Sequence, residues 1–222
     1  MLWLITTEPA AGENSANTMD KIDYKKELDS YKAKNHELRV VEVPKLQYLM
    51  VDGHGDPNTS EEFRDAILAL YPVAYKLKFA SKQNLGKDYT VMPLEALWWA
   101  DDMTAFTTAR DKSQWDFTLM IMTPDWITQD MFEAAVAKIA GKTDAPSSLN
   151  KVRLETLDEG LCVQTLHVGS FDDEAEILAE MHDNFVPKNG YKMTGKHHEI
   201  YLSDFRKVSP DRLRTILRQP IV

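Results

Sequence analysis

Two segments about a hundred residues apart carry the same unusual arrangement. Pro93-Leu94-Glu95-Ala96-Leu97-Trp98-Trp99-Ala100-Asp101 and His197-His198-Glu199-Ile200-Tyr201-Leu202-Ser203-Asp204 each set a glutamate inside an apolar, aromatic strand. Side chains alternate along a strand, so Glu199 shares a face with His197 and Tyr201, and Glu95 with Leu97 and Trp99. A carboxylate among rings loses hydration and is costly to keep ionised unless a cation, a donor or chemistry compensates, which makes such a face a candidate pocket.

What precedes each strand repeats as well. Leu46–Val51 reads as a strand ended by the turn cluster Asp52-Gly53-His54-Gly55-Asp56-Pro57. A helix follows from Thr59, where Thr59-Ser60-Glu61-Glu62 offers a capping box; Phe63, Ile67, Leu70, Ala74 and Leu77 form its buried stripe, and Pro72 is placed to kink it. In the later half Leu161–Val168 ends at Gly169, and Asp172-Asp173-Glu174 opens a helix with Leu178, Met181 and Phe185 on one face. His197–Leu202 is then the answering strand. This double occurrence predicts an α+β fold of duplicated strand-helix-strand-strand modules with pseudo-twofold symmetry around a central ligand cleft. Module one is expected over about 38–123 and module two over about 150–204. A C-terminal helix over about 209–218 follows, begun by Ser209-Pro210-Asp211 and docked by Leu213, Ile216 and Leu217.

The remaining elements are read the same way. Leu38–Val43 and Asp88–Trp99 have strand composition, and Trp115–Met122 alternates Trp115, Phe117, Leu119 and Ile121 against its other face. Thr128 caps a helix that turns Phe132, Val136 and Ile139 inward and stops at Gly141, where a left-handed cap is cheapest. Tyr24, Leu28 and Tyr31 begin the first helical pattern. Residues 6–18 carry no periodicity, so 1–18 are expected to be a disordered extension, 19–222 the folded domain, and Met19 the native start.

Composition excludes several classes of function. A net charge of -9 argues against a phosphate backbone as partner, because nucleic-acid affinity rests on clustered Lys and Arg. Cys162 is the single cysteine, so neither an internal disulfide nor a Cys-based zinc site is expected, and a reducing cytoplasm suits the chain. No apolar run approaches bilayer-spanning length, and Met1-Leu2-Trp3-Leu4-Ile5 is too short for a secretion signal. His197 and His198 diverge on a strand, so no metal or other cofactor is expected. Ser203 lacks a nucleophile elbow, and Cys162 lies in an apolar strand where a thiol is inert.

From about residue 20 to 222 the chain resembles the stand-alone GyrI-like small-molecule-binding proteins. The resemblance rests on Leu49-Met50-Val51-Asp52-Gly53-His54-Gly55-Asp56-Pro57, Leu70-Tyr71-Pro72-Val73-Ala74-Tyr75-Lys76-Leu77-Lys78-Phe79, Leu166-His167-Val168-Gly169 and the two glutamate-bearing segments, all in order. It implies two modules around a central cavity, as in effector domains of multidrug-sensing regulators and the gyrase inhibitor protein. Some stand-alone members are hydrolases that open the cyclopropane of DNA-alkylating compounds. In the sensors a buried glutamate on the late strand meets cationic aromatic drugs, and that position corresponds to Glu199. Three departures concern the pocket: Ala96 where the family commonly has Gly, Phe205 where it has Pro, and Phe117 where relatives often show Trp, which keeps a ring but loses its N–H donor.

The candidate catalytic residues are Glu199, as base on a water or as acid, and Tyr201, as donor to a substrate carbonyl. The candidate ligand-binding residues are Glu95, Trp99, Trp98, Trp115, Phe117, Tyr75 and His197. Adjacent Trp98 and Trp99 point oppositely, and Trp99, on the Glu95 face, is the pocket choice. The residues leave Glu199 open to a structural role, satisfied by Lys, His197 or backbone amides, and leave the rings open to plain packing. Three functions follow: binding with hydrolysis of a cyclopropane-bearing aromatic; binding or sequestering of planar or cationic aromatic drugs without chemistry; and, ranked last, contact with a topoisomerase through an acidic surface. The expected partner is an aromatic small molecule, with no nucleic acid or membrane, and the protein is a monomer or homodimer. No helix-turn-helix fits beside the match, so sensing would need a partner chain.

Overall fold

The computed structural model describes residues 20–101 and 111–222, so the expectations for 1–18 and Met19 fall outside the described residues. Eight strands form one antiparallel sheet: β1 (Arg39–Val43), β2 (Leu46–His54), β3 (Leu94–Trp99), β4 (Asp116–Thr123), β5 (Arg153–Leu157), β6 (Gly160–Val168), β7 (His197–Tyr201) and β8 (Arg214–Pro220). Their order across the sheet is β1-β6-β8-β7-β3-β4-β2-β5. Chain order β2, β3, β4 appears in space as β3-β4-β2, and chain order β6, β7, β8 as β7-β8-β6. The two halves therefore mirror one another about the β3–β7 pair, which is the predicted duplication. The strand that precedes each half crosses over: β1 pairs with β6 of the later half, and β5 with β2 of the earlier one.

The helices are α1 (Tyr24–Glu27), α2 (Glu61–Ala80), α3 (Gln129–Ala140), α4 (Ala175–Ala179) and α5 (Val186–Lys188). Helix α2 starts one residue later than its sequence signal, because Ser60 is the cap whose Oγ accepts from the Phe63 amide. It runs through Pro72 and passes into a π turn, Ser81–Leu85, which Gly86 ends at φ 65. Thr128 caps α3 as expected, but Gly141 keeps helical angles (φ -73), so no left-handed cap forms. Between α4 and α5 the helix widens into a π turn over Glu180–Phe185.

One face of the sheet carries the helices. Phe63 of α2 stacks on Trp98 and meets Phe117 edge-on, and α3 packs on α2. Ile177 and Met181 pack with Val163 of β6 and Leu217 of β8 in a smaller second core. The two helical blocks thus flank β3 and β7 at the centre of this helical face.

Three expectations are corrected. The C-terminal helix is strand β8: Ser209-Pro210 begins only a 3-10 turn (Pro210–Arg212), after which Thr215 to Arg218 are buried between β6 and β7. Leu213, Ile216 and Leu217 mimic helical spacing because a strand covered on both faces shows no alternation. The Asp88–Trp99 strand begins only at Leu94; before it Tyr89 makes one isolated parallel bridge to Ile22. The first helical pattern shrinks to α1 and a 3-10 turn, Asp29–Tyr31. Beyond these, β5 is an edge strand whose Arg153 and Glu155 masked any strand signal.

Phe117 is wholly buried, and a Cβ built on Gly53, its partner on β2, would collide with its ring. Gly53→Ala is therefore expected to destabilise the protein by about 1–3 kcal/mol, with part of the loss recovered when Phe117→Leu is added, as read by urea denaturation.

Candidate functional site

The β3–β7 register sets the site. Glu199 lies opposite Ala96, His197 opposite Trp98, and Glu95 opposite Ile200, so Glu199, His197, Tyr201, Ala96 and Trp98 share the helical face. Glu95, Trp99 and His198 share the other. The expectation that Glu95 and Trp99 join Glu199 is corrected by this pairing.

On the helical face the Trp98 indole Nε1 donates to the Tyr201 hydroxyl oxygen at 3.1 Å, and Tyr201 donates its proton to Glu199 Oε2 at 2.7 Å. His197 Nε2 lies 3.5 Å from Glu199 Oε1, near enough for attraction but not aligned as a hydrogen bond. The Glu199 side chain keeps 15% of its exposure, so it is neither in bulk solvent nor sealed. Burial first, and then the Glu199 charge, push the Tyr201 hydroxyl well above its ordinary range, so it remains a neutral donor.

Rings surround this chain of donors. Trp115 meets Trp98 edge-on at 5.6 Å, Phe117 supports Trp98 from behind, and Phe171 stands edge-on to both Tyr201 and Phe205. Beyond Tyr201 an open cavity of about 250 Å³ lies between α2 and residues 201–206, with Ile67, Tyr71, Tyr75, Leu94 and Phe205 in its wall. It reaches Tyr201 but not Glu199, so the carboxylate sits behind the tyrosine rather than at the cavity surface. Tyr75 is half exposed at its rim.

Sequence reasoning missed the contribution of the later helix. Glu174, at the start of α4, is buried, and among the described residues its Oε1 has no hydrogen-bond partner. Burial and the charge of Glu199 hold its carboxyl well above the usual carboxylate range, with Lys112 opposing. His182, in the π turn, meets His197 edge-on at 6.1 Å; burial and then His197 lower it to about 4, leaving a neutral imidazole at neutral pH. Its Nε2 and both ring nitrogens of His197 also lack hydrogen-bond partners. The signal was present: Glu174, Ile177 and Met181 stand at helical spacing on the buried stripe, whereas the acidic run Asp172-Asp173-Glu174 read only as a helix start. Among the described residues, no group of three or more His, Cys, Asp and Glu side chains converges as metal ligands.

Glu95 belongs to a different structure on the opposite face. It accepts from Tyr31 at 2.5 Å and from His198 Nε2 at 2.9 Å; His198 Nδ1 reaches Glu159 at 2.9 Å, and Arg218 Nη1 reaches Glu159 at 2.8 Å. Arg218 also donates to Gln164 and to the Ser30 carbonyl. Burial lowers the His198 basicity, but Glu159 and Glu95 outweigh it and raise it overall, so an imidazolium donates from both nitrogens. Trp99 lies beneath Lys196, whose Nζ stands 3.0 Å from the ring centroid.

The sequence profile of the GyrI-like small molecule binding domain matches residues 36–222. The chain belongs to this family. Among solved structures, an uncharacterized conserved protein from Listeria innocua is 38% identical with a TM-score of 0.81, covering 91% of this chain and 100% of its own. A hydrolase from Listeria innocua is 36% identical with a TM-score of 0.79 at the same coverage. The EcmrR C-terminal domain, 12% identical with a TM-score of 0.51 over 84% of this chain and 97% of its own, shares the fold. No curated protein matches the chain. Among the described residues no helix is long and apolar enough to cross a membrane.

The network around Glu95 sets the response to acid. Although burial raises the Glu159 carboxyl, His198 and Arg218 prevail and hold it at about 2, below an ordinary value of 4.5. A depressed folded value stabilises fully above 4.5, and the contribution is lost as pH falls toward 2. Urea denaturation from neutral to acid pH is expected to show this loss. Arg218→Ala is expected to cost about 3–5 kcal/mol at neutral pH, whereas Glu199→Gln leaves stability level or raised.

Proposed function

We propose that this protein binds planar hydrophobic aromatic molecules between its two helical blocks and adds water across a strained ring conjugated to a carbonyl, such as a cyclopropane. One observation carries the reading: a largely buried carboxylate, Glu199, aligned by the donor sequence Trp98 to Tyr201 to Glu199 and set beside a ring-lined cavity. The hydrolase from Listeria innocua, 36% identical over 91% of the chain, supports it. Glu199 acts as general base on a water, the tryptophans and the cavity rings hold the planar body, and Tyr201 fixes the carboxylate. The acidic charge and single cysteine suit work in the cytoplasm, on small molecules rather than nucleic acid, as a monomer or homodimer.

A second reading has the same cleft bind or sequester cationic aromatic drugs without chemistry. Tyr201 donates its proton to Glu199, which occupies the carboxylate and favours this reading. A cation over Trp98 or Tyr201 would gain about 0.5–2 kcal/mol from each ring.

Turnover separates the two. Purified protein incubated with a cyclopropane-bearing duocarmycin-like compound is expected to yield ring-opened product, with Glu199→Gln slower by about 10²- to 10⁴-fold and affinity for the intact compound retained. Equal binding by both proteins without product would leave the binding reading in place. No affinity for any planar cationic or neutral aromatic, by tryptophan fluorescence and calorimetry, would end both.

A further inference from the structure

We propose that Glu174 is the acid of this site: it delivers a proton to the oxygen that receives the opened ring's electron pair. This rests on the hydrolase reading above.

Ring opening by water needs a base and an acid together. The water oxygen bonds to a ring CH2 carbon as the carbon–carbon bond of the cyclopropane breaks, and that bond's electron pair moves through the conjugated system to the carbonyl oxygen. Glu199 removes one proton from the water, and one proton must reach the new oxyanion. The product is an alcohol and a phenol, the sum of substrate and water. Passage of the proton from Glu199 to Glu174 then restores the site.

The obvious donor is already committed. Tyr201 points its single proton at Glu199 Oε2 and receives the Trp98 N–H, so the chain ends at the base. His182, at about 4, is a neutral imidazole with no excess proton at neutral pH.

Glu174 meets the requirements. It is 4% exposed and its Oε1 has no hydrogen-bond partner among the described residues, so an ionised form would be a buried charge with no hydrogen bond to that oxygen. It stands at the start of α4 yet makes no capping bond to the helix amides, forgoing the interaction that normally favours an ionised acid there. The charges acting on it come from three elements: Glu199 of β7, Asp172 of its own turn, and Lys112 of the 3-10 turn Lys112–Gln114. The turn that leads into Glu174 is placed at the site by two contacts: Phe171 stands edge-on to Tyr201 at 5.6 Å, and Asp172 lies 3.2 Å from Lys112, which is itself engaged over the Trp115 ring. His197 lies against Glu199, and His182 meets His197 edge-on. Two interacting carboxyls in a desolvated site share one proton, and the more buried member keeps it.

Infrared difference spectroscopy on the full chain reads the proton directly, with no substrate present. A protonated-carboxyl band is expected to persist above pH 7, disappear in Glu174→Gln and survive in Glu199→Gln. With the cyclopropane compound, Glu174→Gln is expected to lower turnover by about 10²-fold or more with unchanged affinity, and Glu174→Asp to recover part of it. Absence of the band from the wild type, or its survival in Glu174→Gln, overturns the assignment. A wild type that binds but turns nothing over sinks the hydrolase reading and the acid's task together. A wild type that turns over while Glu174→Gln keeps its rate sinks the present assignment alone.

Discussion

The pairing of β3 with β7 across the pseudo-twofold axis is the contact on which the rest of the molecule depends. It joins the two halves into one sheet, and its register decides which side chains meet. Because period-two alternation is strict, a slip of one residue would exchange the faces of Glu199 and Glu95 and dismantle both arrangements at once. The register also puts Ala96 directly opposite Glu199. A side chain larger than methyl there would crowd the carboxylate, so the position after the early glutamate is small for reasons that belong to the late one.

The opposite face explains how the register is enforced. Glu95, His198 and Arg218, wholly buried, and Glu159, whose side chain is 4% exposed, form a set of two acidic and two basic groups. The set ties β3, β7 and β8 to the residues before β1 through Ser30 and Tyr31. Such a cluster is weak evidence for net stability, since apolar residues of equal volume can serve as well. Its contribution here is specificity: with the register shifted, each partner would be a buried charge without a mate.

The sequence made the scaffold legible and half the chemistry. Repetition of strand, glycine turn, helix and glutamate-bearing strand gave the duplication, because each signal is local. It failed where burial erases local signals. Strand β8 is covered on both faces, so Thr215, Ile216, Leu217 and Arg218 form no alternating pattern, and an arginine in a central strand reads as surface until its partners are known. That Glu199, Tyr201 and His197 share one face was readable from alternation along a single strand. The choice between Trp98 and Trp99 was not, since it depends on which cross-strand partner faces the helices. Glu95 and Glu199 look alike in sequence and differ only in what covers them.

That difference shows how a symmetric frame supports an asymmetric site. The early glutamate is committed to holding the halves together, and the late one has, among the described residues, the side-chain donor Tyr201 and residual exposure. The cavity beside it, about 250 Å³, is smaller than the 300–1,000 Å³ usual for drug-sized ligands. A multi-ring body bound there would overhang toward the exposed edges of Tyr75, Phe171 and Phe205, or would need those rings to turn. Phe205 lies in that wall and touches Phe171, which in turn touches Tyr201. Ring contacts thus run from the mouth of the cavity to the donor on Glu199, so a ligand that displaces Phe205 or Phe171 bears on Tyr201 and on the carboxylate it orients.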